Sequence, residues 1–281
     1  MVVATLAKKW AHDMASWRLY TKVLGAGHSE ETIVFLPGFT GSHEVWNHDF
    51  QALSQCYRLV LLDMLGFGHS PKPAIDYTLD DHLGAIHRTL HSLGVGTAHL
   101  AGHSMGCLLA LAYANRYPAE AGKIALFALP WYHSEQEARQ IIGKSSLFNR
   151  WLALDTPLAR IGCAVMCHLR PLLMAVAPAL SPDVPAVVSR DALRHTWTSY
   201  SKTLNHVIFQ LRADALLRDT RKPVLIVQGR QDTIAPIGNV IGAVDRLPNV
   251  WLKTVDAGHR LIFTHSDTVA RELVRFLQQP A

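Results

Sequence analysis

Short apolar runs rich in β-branched residues alternate with segments of helical spacing along this chain of 281 residues, and that alternation constrains the fold more than any other feature. The strand-like runs are RLYTKVLG (18–25), TIVFLPG (32–38), YRLVLLD (57–63), AHLAGHS (98–104), KIALFALP (123–130), PVLIVQG (223–229) and VWLKTVD (250–256). Runs this apolar have no polar face to offer water, so they read as strands covered on both sides. Joined through helices, they make an open, mostly parallel, doubly wound α/β sheet. In TLDDHLGAIHRTLHSLG (78–94), Thr78 reads as an N-cap and Gly94 as a stop for one connecting helix.

The rhythm breaks between Trp131 and Ala215. Strand-like runs disappear there and SEQEARQIIGKSS, PLARIGCAVMCHLR and RDALRHTWTSYSKTLNHVIFQLRADALL read as helical, separated by APALSPDVPA. A helical insertion at the carboxyl end of a strand sits over the ligand crevice of such a sheet. The expected organisation is a core from 1–130 and 216–281, with 131–215 inserted as a helical cap.

Composition excludes several classes. Nearly half of the residues are hydrophobic and 17% are charged, as in globular proteins. The net charge of +5 is mild and not gathered into a basic stripe, so no nucleic-acid partner is expected. The apolar stretch 161–180 is interrupted by Arg170, Pro171 and Pro178, which argues against a membrane span and leaves packed helices or interfacial contact with lipid. The N-terminal stretch MVVATLAKKWAHDMASW does not read as a secretion signal, and the expected location is cytoplasmic. Four cysteines lack the paired spacing of a metal site. Cys163 and Cys167 read as core-facing thiols on one helix face, and no metal is expected. GAGHSEE (25–31) lacks the third glycine and following helix of a dinucleotide fingerprint, so no cofactor is expected either.

Chemistry concentrates at Gly102-His103-Ser104-Met105-Gly106, a G-x-S-x-G pattern between a strand-like run and a helix-like segment. The turn is tight enough that side chains at 102 and 106 would meet backbone, and its strain lifts the Ser104 hydroxyl into the open. A serine needs a base and a group to orient that base. His259, in the loop after the last strand-like run, and Asp232, after the preceding one, supply both. Asp256 is the rival acid, but it would end the strand itself.

These residues occur in the order Ser, Asp, His, and the chain resembles the α/β-hydrolase superfamily over nearly its whole length, in particular its capped esterase-like and meta-cleavage-hydrolase-like branches. FLPGFTGSHEVW looks like that family's oxyanion loop and LLDMLGFGHS like its D-x-x-G-x-G-x-S stretch; Asp63, Gly66 and Gly68 would shape a loop beneath the site. The resemblance implies an α/β-hydrolase fold and an oxyanion hole made by the backbone N–H groups of Phe39 and Met105. The family often has His-Gly where this chain has Pro37-Gly38, a change that leaves a backbone donor available. Members that open epoxides or remove halides use a carboxylate nucleophile, which the serine here disfavours.

The expected function is therefore hydrolysis of a small-molecule ester or thioester with a small to medium apolar acyl group, through an acyl-enzyme on Ser104. Trp131 and Tyr132 are candidate substrate-binding residues. Within the cap, basic residues outnumber acidic ones, and Arg160 and Arg170 are candidate partners for a substrate carboxylate. The alternatives are a C–C bond hydrolase or pyruvate-eliminating synthase of the same fold, and a hydrolase-like receptor with little turnover. Oligomeric state is open.

Overall fold

The computed structural model describes residues 17–25, 31–47, 49–145 and 157–280, with the side chains of 145, 157–160, 164 and 167 excluded. The N-terminal stretch to Ser16, most of GAGHSEE, and the side chains of Arg160 and Cys167 lie outside the described residues.

Each of the seven strand-like runs overlaps a strand: β1 (Thr21–Leu24), β2 (Thr32–Leu36), β3 (Arg58–Leu62), β4 (Ala98–His103), β5 (Ala121–Phe127, which starts two residues before its run), β6 (Val224–Gly229) and β7 (Val250–Val255). They form one sheet in the order β1-β3-β2-β4-β5-β6-β7. Only β1 runs antiparallel, pairing with β3; the other pairings are parallel. The doubly wound, mostly parallel sheet expected from the sequence is thus present.

Burial explains why the runs lack alternation. Every residue of β2 and β6 is buried, whereas the edge strand β7 alternates between half-buried and exposed positions along most of its length. Side chains alternate faces even so. Val34, Leu36, Val60 and Leu62 enter one apolar cluster; Ile33, Phe35, Leu59 and Leu61 enter the other. Two cores, one on each face of the sheet, require helices on both faces.

The helices are α1 (Glu44–Asn47), α2 (Leu79–Ser92), α3 (Met105–Arg116), α4 (Glu135–Ser145), α5 (Pro157–His168), α6 (Arg170–Leu180), α7 (Ala186–Asp191), α8 (Trp197–Thr203), α9 (Ala213–Asp219), α10 (Leu261–Thr264) and α11 (Ser266–Gln278). Helix α2 opens with the expected cap: the Thr78 hydroxyl accepts from Asp81 N, and the Asp81 carboxylate accepts from Thr78 N. Helix α3 is buried from Met105 to Ala114, as suits an element at the centre of one face. On the other face α11 turns Val269, Leu273, Phe276 and Leu277 inward, and the buried Lys123 ammonium donates to its final carbonyls at Phe276 and Leu277.

Between β5 and β6 the described residues are helical or irregular, with no strand. The stretch 190–217, which reads as one helical segment, is divided. Helix α7 ends at Asp191, and Thr196 starts a new helix by accepting from Ser199 N, so the local cap outweighs the continuous spacing. A π-helical turn (Leu204–Phe209) follows α8, and α9 begins after a further break. Pro171 stands in the first turn of α6, where it is tolerated, and Pro178 falls in its last turn. No helix among the described residues is long and apolar enough to cross a membrane.

Candidate active site

The sheet order creates a crevice before any side chain is considered. Strands β2 and β4 are neighbours, but the chain leaves β2 toward β3 on one side and leaves β4 toward β5 on the other. At such a switch point the loops diverge beyond the carboxyl ends of the strands and leave room for a ligand. The loop holding Phe39 follows β2, and Ser104 follows β4.

Ser104 has φ 51° and ψ −120°, a backbone conformation disfavoured for a residue with a Cβ and costing roughly 1–3 kcal/mol. Neighbouring bonds hold it there: Ser104 N donates to Phe127 O at 2.9 Å, and Cys107 N donates to Ser104 O at 2.8 Å. The flanking glycines are required by close approach. A Cβ on Gly102 would lie 2.5 Å from Gly106 O, and one on Gly106 would lie 2.2 Å from Leu36 O.

Two other loops converge on this turn because their backbones are laced together. Arg230 N donates to Val255 O and Gln231 N to Ala257 O, so the exits of β6 and β7 run side by side. This brings His259 Nδ1 to 2.9 Å from Asp232 Oδ2, while His259 Nε2 lies 3.0 Å from Ser104 Oγ. The Asp232 carboxylate is fully buried and satisfied: Oδ1 accepts from Ile234 N at 2.8 Å and from Ala235 N at 2.7 Å. Its ionised form is an acceptor only, so the facing His259 Nδ1 carries the proton and Nε2 is left as acceptor toward the serine hydroxyl. Asp256, the rival acid, points elsewhere and pairs with Arg230 at 2.8 Å.

Phe39 is half-buried and Met105 fully buried. Among the described residues, no turn or loop carbonyl accepts from either backbone N–H. The Phe39 ring packs against Tyr200 of α8 at 4.7 Å and against Phe67 at 5.4 Å. Helix α8, which lies between β5 and β6 in the chain, therefore rests on the loop that carries Phe39.

Trp131 and Tyr132 are buried. The Tyr132 hydroxyl donates to Ile234 O at 2.8 Å, which ties Tyr132 to the turn holding Asp232, and Trp131 O accepts from Asn239 of the following 3₁₀ turn at 2.8 Å. Arg170 donates to His195 O at 2.9 Å. Cys163 is buried.

The partners of Asp63 were not legible as such in the sequence. Its buried carboxylate accepts from the backbone N–H and ring Nδ1 of His43 on one oxygen, and from those of His69 on the other. Burial alone would raise this carboxyl group, but the His43 hydrogen bond and the two backbone N–H bonds outweigh it and hold the group below its ordinary value. Burial likewise disfavours the His43 imidazolium, yet its bond to Asp63 and the charges of Asp63, Glu44 and Asp191 raise it. Three ligand-type atoms of His43, Asp63 and His69 lie within 4.8 Å of one another, the one such group among the described residues, and these hydrogen bonds account for the arrangement. The signal was the loop pattern D-x-x-G-x-G-x-S, which marks the acid but not its partners.

The arrangement of hydroxyl, imidazole and buried carboxylate can relay a proton from Ser104 to His259 while Asp232 balances the resulting charge. Comparison with known proteins agrees with the fold. The model of the alpha/beta hydrolase fold family matches residues 31–266. The chain is 28% identical to "Probable lysophospholipase BODYGUARD 3" of Arabidopsis thaliana over 90% of its length, but it spans only 57% of that relative. It is 26% identical to "Putative carbamate hydrolase RutD" of Caulobacter sp. (strain K31), with 94% of this chain and 97% of that one aligned. The solved enol-lactonase of Burkholderia xenovorans LB400 superposes with a TM-score of 0.70 at 20% identity, covering 93% of this chain and 96% of that one. From its sheet, its strained Gly102–Gly106 turn and this family match, the chain belongs to the α/β-hydrolase fold family.

Proposed function

We propose that this hydrolase cleaves carboxylic esters or thioesters of small to medium apolar acyl groups through an acyl-enzyme on Ser104. The observation that carries the reading is the continuous row from Ser104 Oγ through His259 to Asp232, with links of 3.0 and 2.9 Å.

In the first half-reaction His259 Nε2 takes the Ser104 proton as Oγ bonds to the substrate carbonyl carbon. The oxyanion is met by the backbone N–H groups of Phe39 and Met105, each worth roughly 3 kcal/mol in the transition state. The tetrahedral intermediate collapses, the bond to the alcohol or thiol breaks, and the leaving group takes the proton from His259. Water then attacks the acyl-enzyme with His259 as base, releasing the acid and restoring the Ser104 hydroxyl. This sequence uses only groups of the chain, substrate and water.

We read residues 131–215 as a lid on a core formed by 1–130 and 216–281. Supporting this, Tyr200 packs on Phe39, and Asp183 pairs with Arg260, the neighbour of His259, at 2.7 Å. Ile161, Leu172 and Leu180 are 61%, 63% and 79% exposed on α5 and α6, an outer face suited to contact with a lipid aggregate. Lysophospholipase activity, named for the Arabidopsis relatives, falls within this reaction class, so lysophospholipids belong among the test substrates. For Tyr132 the hydrogen bond to Ile234 O supports bracing of the turn that holds Asp232.

The test is labelling by a fluorophosphonate probe together with turnover of p-nitrophenyl esters of increasing chain length. Labelling and turnover that vanish in Ser104→Ala are expected. Absence of labelling in folded wild-type protein, or rapid loss of a dienoic ring-fission chromophore with negligible ester turnover, would overturn the proposal.

A further inference from the structure

The residue before the nucleophile has no part in the mechanism above, yet its side chain touches two of the three loops that build the site. His103 is the last residue of β4, and the alternation of the strand sends its ring to the same side as Ala101, toward Phe127 and Trp46. There Nε2 lies 3.1 Å from the backbone carbonyl oxygen of His259. The two imidazole rings are 5.3 Å apart and tilted. On the side of the β2 loop the ring leaves no room for a side chain: a Cβ added to Gly38 would stand 2.9 Å from His103 Nδ1 and 3.3 Å from Ser104 Cβ.

The chemistry of the bond settles the form of the ring. Burial, followed by the charge of His259, pushes His103 down to about 3, so the ring is neutral at working pH and owns a single N–H. A carbonyl can only accept, so that hydrogen sits on Nε2. A neutral donor at this place also adds no positive charge beside an imidazole that must become an imidazolium during acyl transfer.

His259 is therefore held at both ends, its ring by Asp232 and its main chain by His103. The loop between β7 and α10 has only a few residues in which to aim the imidazole, and a shift of its backbone swings Nε2 away from Ser104 Oγ. We infer that His103 is a positioning residue, which uses its Nε2–H to fix the His259 carbonyl and thereby keeps the catalytic base aligned with the nucleophile. The inference rests on the serine-hydrolase reading given above.

Three variants test it, with Ser104→Ala as reference. Gln at position 103 carries an amide N–H about where the ring Nε2 stands, whereas Asn carries one near Nδ1 and cannot reach the His259 carbonyl. Phe keeps the ring and loses the donor. For His103→Phe and His103→Asn, kcat and the fluorophosphonate labelling rate are expected to fall together by about 10- to 100-fold with KM within about twofold of wild type, the effect of a misaligned group rather than a lost binding contact. His103→Gln is expected to recover both to within about fivefold of wild type. Melting temperatures of the Gln and Asn variants are compared, because this pair matches in polarity and isolates reach from folding. Equal rates for Gln and Asn, or losses that follow melting temperature or appear in KM, would overturn the inference while leaving the serine-hydrolase reading intact. Failure of the wild type itself to be labelled would remove both.

Discussion

Asp256 forms an exposed ion pair with Arg230 at 2.8 Å, three residues before the histidine it precedes in the chain, and so takes no part in orienting that ring. The partner of His259 is Asp232, which arrives from the neighbouring loop with its carboxylate fully buried. Proximity in sequence and proximity in space thus point to different acids, and the difference is measurable.

Asp232→Asn is expected to reduce kcat for a p-nitrophenyl ester by about ten-thousand-fold, because an amide cannot hold the Nδ1–H tautomer or balance an imidazolium. Asp256→Ala, which removes only a surface ion pair worth at most about 1 kcal/mol, is expected to keep kcat within about twofold. Steady-state kinetics on the two variants decides between the acids.

Tyr132→Phe deletes the hydroxyl that donates to Ile234 O. A loss of about 1 kcal/mol in unfolding free energy is expected for a buried hydrogen bond of this kind. With Tyr132 as a brace behind Asp232, kcat falls a few-fold and KM holds. A rise in KM with unchanged kcat would instead mark Tyr132 as a substrate contact.

Gly106→Ala places a methyl group 2.2 Å from Leu36 O, in backbone with no flexible end to move aside. The variant is expected to lose at least about 1–3 kcal/mol of stability, the usual penalty of overpacking. Fluorophosphonate labelling is expected to fall more steeply than the melting temperature suggests, since the displaced turn carries Ser104 with it.

The His43–Asp63 pair makes stability depend on pH in both directions. Asp63 is held below its ordinary value of 3.8, so its contribution is present above that pH and is lost as pH falls through the lower folded value. His43 is raised above 6.5, so its contribution is complete below 6.5 and is lost as pH rises through the higher folded value. Thermal melts across pH should therefore peak between these limits, and His43→Asn should flatten the alkaline limb. Asp63→Ala, which leaves buried donors unpaired, is expected to cost about 3–5 kcal/mol.

Much of this protein was legible before any coordinate. The apolar runs gave the strands because both faces of a central parallel strand must be covered, and this leaves a signal as strong as that in TIVFL or VLIVQG. Thr78 and its helix were legible because a capping box is local chemistry. Ser104, Asp232 and His259 could be nominated because each follows a strand, and the carboxyl ends of parallel strands share one rim of a sheet. The stretch 190–217 is helical as its spacing indicates, but its breaks were not legible, because spacing records which faces are apolar while breaks are set by individual side chains such as Thr196.

Tertiary structure alone decided the rest. Which histidines close on Asp63, what His103 touches and what Tyr132 braces depend on contacts between residues 6 to 156 positions apart. A sequence announces the periodicity of burial, since that is a property of each segment by itself. It does not announce which side chains meet across loops, because those meetings are fixed by the order in which the strands lie side by side.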